Sequence, residues 1–216
     1  MNNIFKTMVE LQHKFNKQVA EDYLDKNFNW NSAIIAESGE LLESLGYKWW
    51  KKQIPDINNV KVEAIDLLHF VISETIQDFY NRASCKENFI DKTIQDFYFS
   101  FEDELELIRN YNKFTIEKLI GKLLRESAGE GRLLILKILF HRLSMSNEDI
   151  YVAYIVKNCL NKFRQDNGYK DGTYIKIWNG REDNIVAYEL AKAIGACEQL
   201  FDLLYRNLET YYKEDN

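Results

Sequence analysis

Two short segments carry acids at a spacing that can do chemistry. "AESGELLES" places Glu37 and Glu40 three residues apart, and "VEAIDLLHF" places Glu63 and Asp66 three apart. Side chains at that spacing share a face of an α-helix. Apolar residues flank each pair, so the acids fall at or beside the stripe a helix buries. Burying four carboxylates together is prohibitive unless cations neutralise them. Carboxylate oxygens are hard ligands that select Mg2+ or Mn2+ over zinc. Two or more such ions beside a phosphate chain imply metal-assisted phosphoryl chemistry. On the residues alone, two other readings stay open. One is a pair of ordinary solvated acidic faces. The other is a di-iron bundle, which wants two Glu-x-x-His motifs where only Asp66 and His69 come close. Glu43 also pairs with Glu40 at the same spacing, so the register of the first pair is open too.

The elements that position these acids read as helices. Apolar residues recur at helical spacing over about 3–25, 31–46 and 58–82. "KWWKKQIPD" connects the second and third, with Asp56 or Asn58 as the next N-cap. That short connection makes the two acidic helices antiparallel neighbours. Three or four further helices fall within 86–145. Thr115 is a candidate N-cap there, and Gly129 and Gly131 are expected to break the chain before "RLLILKILFHRL". Ser146 is expected to cap a long helix over about 147–165, and a last helix spans about 184–213. Between them, "FRQDNGYKDGTYIKIWNGREDN" is not helical. It holds Gly168, Gly172 and Gly180, three of the nine glycines in the chain. Within it "TYIKIW" alternates as a strand would, without an evident partner. "TIQDFY" occurs at 75–80 and again at 93–98. An 18-residue shift is five helical turns, so both copies are expected to show the same face.

Composition bounds the class. The 216 residues are 46% hydrophobic and 14% aromatic, enough for a sizeable core, with Pro55 the one proline. A net charge of −6 speaks against non-specific nucleic-acid binding. No run reaches the roughly 18 apolar residues of a membrane span. Cys85, Cys159 and Cys197 are odd in number and scattered, which suits neither a disulfide framework nor a zinc site. The expectation is a cytoplasmic protein without nucleic-acid or membrane partners.

With the acids in place, five segments resemble a known family in order: "LQHKFN" at 11–16, "AESGELLESLGYKWWKK" at 36–52, "VEAIDLLHF" at 62–70, "VKNCLNKFRQDNGYKDGTY" at 156–174 and "KIWNGREDN" at 176–184. The chain resembles the dimeric dUTPases of the all-α nucleoside triphosphate pyrophosphatase superfamily. The resemblance implies an all-α multi-helix bundle with an ordered Gly-rich loop near the C-terminus, a single domain over 1–216. Its core helices would span about 3–82 and 147–213, with 84–145 as scaffold or dimer region. It implies Mg2+-dependent hydrolysis of dUTP and dUDP to dUMP by a homodimer, feeding thymidylate synthesis and limiting uracil in DNA. Glu37, Glu40, Glu63 and Asp66 would bind two or more Mg2+ ions, with Mn2+ an alternative, and Glu37 and Glu40 are the first candidates to position or deprotonate the attacking water. Gln12 and Asn16 would hold the uracil, although composition alone favours surface positions for both. Trp50, with Trp49, would wall the base. His69 and Phe70 would line the deoxyribose site, Phe70 blocking a 2′-hydroxyl, and Asn158 matches a substrate-binding asparagine. Arg164, Lys170, Tyr174, Lys176 and Asn184 match the phosphate-binding set, and the stretch around them is expected to close over nucleotide. Other readings are a pyrophosphatase for dCTP or another nucleotide, and a non-catalytic nucleotide-binding protein.

Overall fold

A computed structural model describes residues 2–83, 87–102, 111, 113–126 and 130–215. Its backbone falls into two compact units, Met1–Ser146 and Asn147–Asn216. Among the described residues the first holds only helices as regular elements: α1 (Asn2–Val19), α2 (Tyr23–Lys26), α3 (Trp30–Leu45), α4 (Ile57–Arg82), α5 (Phe89–Glu102), α6 (Ile116–Leu123) and α7 (Glu130–Arg142). The second holds α8 (Asn147–Asp166), a two-stranded hairpin of β1 (Ile177–Trp178) and β2 (Arg181–Glu182), α9 (Asp183–Ile194) and α10 (Leu200–Asp215). The fold is all-α, as the helical periodicity predicts. No described helix is long and apolar enough to cross a membrane.

In the first unit α4 is the hub, packing against α1, α3, α5 and α7. Its sequence explains this. Val60, Ala64, Ile65, Leu67, Leu68, Val71, Ile72 and Ile76 are all buried and cover about half of the helix circumference, while Glu63, His69, Ser73 and Gln77 on the other half are buried too. A helix buried on both its apolar and its polar face over 63–77 needs neighbours on several sides. Asp56 caps its start by accepting from the Asn59 amide at 3.0 Å. Gly46, in the left-handed region at φ 68°, ends α3. The Asp56 amide then donates to the Ser44 carbonyl at 2.8 Å, which ties the start of α4 to the end of α3. The two helices therefore run antiparallel. A buried ion pair fixes their outer side. Arg132 on α7, 4% exposed, donates from Nη1 to both oxygens of Glu74 on α4 at 2.6 and 2.8 Å, and from Nη2 to Asn31 on α3 at 2.7 Å.

The second unit centres on Phe163 of α8, whose ring meets Tyr174, Trp178, Tyr205 and Tyr212 at centroid distances of 5.5–6.3 Å. These aromatics hold the glycine-containing stretch onto the helices.

Several boundaries depart from the sequence reading. The helix expected over 3–25 stops at Val19 and resumes as the single turn α2. Gly131 lies inside α7 rather than breaking the chain, and Gly129, like Cys85, lies outside the described residues. The last helix is two, because Gly195 at φ 80° ends α9. The strand in "TYIKIW" does have a partner. Asn179 and Gly180, both at positive φ (47° and 74°), form the tight turn of a hairpin in which Ile177 pairs with Glu182 and Trp178 with Arg181. Asn-Gly between short extended runs is the strongest local hairpin signal, since both turn positions need left-handed backbone. The repeated "TIQDFY" does not present one face. The first copy buries Thr75, Ile76 and Gln77, whereas the second buries Thr93 and Phe97, because the first sits on a helix with neighbours on several sides.

Arg132→Met leaves the largely shielded Glu74 carboxyl without its cationic partner. The expected loss is about 3–5 kcal/mol in urea unfolding, with most of it recovered in Arg132→Met/Glu74→Leu. A second prediction concerns His13, whose ring meets the Tyr23 hydroxyl at 2.6 Å. Burial, helped by the nearby Lys17 charge, lowers its pKa from 6.5 to about 4. The folded state therefore resists protonation that the unfolded chain accepts. Its contribution to stability is complete above the unfolded value of 6.5 and is lost as pH falls toward about 4. The fall in Tm between those two limits should be shallower in His13→Gln than in the parent.

Candidate active site

The α3–α4 hairpin brings three of the four acids together. One carboxylate oxygen from each of Glu37, Glu63 and Asp66 lies within 4.8 Å of the others. Glu63 is buried, while Glu37 and Asp66 are half-buried. Glu40 is exposed and stands outside this trio. Three residues advance a helix by roughly 300°, so Glu40 is turned about 60° off the direction of Glu37, toward solvent. Glu63 is oriented by Asn59, whose amide nitrogen donates to Glu63 Oε1 at 3.0 Å and to Ser44 Oγ at 2.7 Å. Glu43, the competing residue of the first motif, is engaged elsewhere. It pairs with Lys48 and accepts from Gln53 Nε2 at 3.2 Å, which folds the connection between the helices. Three carboxylates this close repel one another unless a cation lies among them. Their donor set is all oxygen, which suits a hard divalent ion.

One turn beyond Asp66, α4 presents a buried polar chain to α1. Gln12 Nε2 donates to Asn16 Oδ1 at 2.9 Å, which leaves Gln12 Oε1 to accept from His69 Nδ1 at 2.7 Å. Asn16 Nδ2 donates to Ser73 Oγ at 3.0 Å, and that hydroxyl donates to the His69 carbonyl at 2.8 Å. With the Gln12 oxygen facing the ring, His69 Nδ1 is the donor of this arrangement, which would leave Nε2 as an acceptor. Gln12 (4% exposed), Asn16 (6%) and His69 (7%) are therefore interior residues, against the surface positions that composition favours for the two amides. Phe70 is half-buried, its ring 6.4 Å from that of Trp30. Trp49 and Trp50 lie on the connection after α3, 90% and 60% exposed, edge to face at 5.6 Å.

In the second unit Asn158 is buried on α8, and its Nδ2 has no hydrogen-bond partner. Arg164, near the end of the same helix, donates from Nε and Nη2 to the two oxygens of Asp183 at 2.8 Å each. The Tyr174 hydroxyl donates to the same carboxylate at 2.8 Å. Burial, then this bond, pushes the Tyr174 phenol well above its ordinary range. Lys170, Lys176 and Asn184 are exposed, with Lys176 Nζ 5.3 Å above the Tyr169 ring. Gly168, at φ 87°, is required where the loop leaves α8, because a Cβ there would stand 2.0 Å from Thr173 Oγ1.

Sequence reasoning missed Asn59, Ser73 and Asp183. Each left a signal. Asn59 precedes Glu63 by one helical turn, and Ser73 follows His69 by one turn on the same face. Asp183 adjoins Asn184 within the "WNGREDN" motif.

The described elements form an all-α fold with three acids, clustered on an antiparallel helix pair, that could hold a metal ion. A family model described as dUTPase matches residues 4–169, and the chain belongs to that all-α dUTPase family. Its activity is accordingly that of a dUTP diphosphatase. No curated protein matches the chain.

The polar chain gives a direct prediction. Gln12→Leu removes the acceptor of the His69 Nδ1 proton within the core. A loss of about 1–3 kcal/mol in stability is expected. The 15N spectrum of the ring should change from a single Nδ1–H tautomer to a mixture.

Proposed function

We propose that this chain hydrolyses dUTP and dUDP to dUMP with Mg2+, as a homodimer, so limiting uracil in DNA and supplying dUMP for thymidylate synthesis. The observation that carries the reading is the convergence of Glu37, Glu63 and Asp66 on two antiparallel helices. Glu40, a turn from Glu37, is assigned to the same ligand set from the solvent side. Two or more Mg2+ ions, or Mn2+, would neutralise the phosphate oxygens and activate the attacking water. Glu37 and Glu40 are the residues proposed to orient that water and take its proton.

The remaining roles follow from the resemblance and the chemistry of each side chain. Gln12 and Asn16 read the uracil edge through amide donors and acceptors, and Trp50 with Trp49 offers the aromatic face. His69 Nε2 accepts from a sugar hydroxyl, while Phe70 rejects a 2′-hydroxyl by bulk without a polar partner. Asn158 adds a buried amide donor. Arg164, Lys170, Tyr174, Lys176 and Asn184 form the phosphate-binding set, where cationic donors and positioning do most of the work of phosphoryl transfer.

The test is turnover of dUTP, dUDP, dCTP, dTTP and UTP by purified protein, with Mg2+ and with EDTA. Turnover of dUTP and dUDP that EDTA abolishes is expected. Faster turnover of dCTP would overturn the substrate assignment. Glu37→Gln and Glu63→Gln should each lower kcat by about 100-fold or more. Full activity in Glu40→Ala would remove Glu40 from the ligand set.

A further inference from the structure

Asp183 has a place in the reaction that neither its family motif nor its own chemistry toward a phosphate would suggest. It is an anion, 1% exposed, among residues assigned to bind anions. It cannot touch a phosphate without repulsion. Its two oxygens instead accept three hydrogen bonds, two from Arg164 and one from Tyr174, all at 2.8 Å. Its backbone amide donates to the Lys176 carbonyl at 2.9 Å, one step beyond the hairpin pairs. The position is fixed on both sides, because Asp183 is also the first residue of α9, where the helix dipole favours a carboxylate.

We infer that Asp183 is the positioning residue of the phosphate-binding set, holding the Arg164 guanidinium in one orientation through its Nε and Nη2 donors. This inference rests on the proposed role of Arg164 toward phosphate. A free arginine side chain has several rotatable bonds and loses that freedom on binding. Clamped by Asp183, it has already lost it, and the Nη1 protons and the second Nη2 proton remain for a ligand. Tyr174 acquires a different role from the one its motif implies. Its single proton is committed to Asp183, so in this arrangement its oxygen can only accept, and a fully ionised phosphate oxygen offers it no donor. Tyr174 therefore braces Asp183, and Arg164 carries the charge-assisted contact.

The test is a double-mutant cycle on dUTP hydrolysis with Arg164→Ala, Asp183→Asn and the double variant, alongside binding of deoxyuridine, which has no phosphate. Each single variant should raise KM for dUTP at least tenfold and leave deoxyuridine affinity unchanged. The double variant should be no worse than Arg164→Ala, since Asp183 acts through that side chain. It should also melt above Arg164→Ala, because Asp183→Asn removes the buried charge left unpaired there. If the two effects on KM multiply, or if Asp183→Asn weakens deoxyuridine as much as dUTP, Asp183 is only structural and the inference fails. If Arg164→Ala leaves KM unchanged, the phosphate role of Arg164 fails first and takes the inference with it. Arg164→Lys, which keeps the charge but not the fork, replaces Arg164→Ala in the cycle should the latter not fold.

Discussion

Carboxylates repel, and the first unit is arranged around the need to hold three of them within 4.8 Å. Such a cluster survives only if the backbone beneath it cannot relax. α4 supplies that rigidity by packing against α1, α3, α5 and α7, so its acids cannot swing away by moving the helix. The turn after α3, tied back through the Ser44 carbonyl and the Asn59 amide, fixes the partner helix at the same point. The buried Arg132–Glu74 pair holds the other side of the hairpin. Apolar packing thus confines three acids that could share a cation.

Glu63, Asp66, His69 and Ser73 follow one another along the same helix at steps of three or four residues, so one face passes from acids to a polar chain. That chain is closed by α1, where Gln12 and Asn16 lie four residues apart and reach His69 and Ser73. Each amide uses one end as donor and the other as acceptor, so the direction of the chain is coupled to the His69 tautomer. Buried networks of this kind fix a single arrangement when every member is satisfied.

The second unit solves the opposite electrostatic problem. A buried acid with no partner is costly. Asp183 is answered by Arg164 at both oxygens and by Tyr174, whose ring packs on Phe163. A neutralised guanidinium still presents outward donors, so the residue remains useful to an anion.

The sequence by itself determined the helical class, the two acidic pairs, the antiparallel hairpin between them and the family. These are matters of period, spacing and local chain chemistry, which a linear pattern records. It also contained the Asn179-Gly180 hairpin and the Gly195 helix end, which lay within reach as local signals. Only the tertiary structure decided which acids converge. Glu40 and Glu37 share a motif, yet their different angles around α3 separate a surface residue from a member of the trio. Burial of Gln12 and Asn16 likewise depends on what α4 places opposite them, 57 residues away in sequence. The partnership of Arg164 with Asp183 spans 19 residues and a turn, and no spacing rule reaches across it. Local pattern sets the elements, because backbone geometry is local. Which side chains meet is set by packing, where one helix face is chosen by the faces around it.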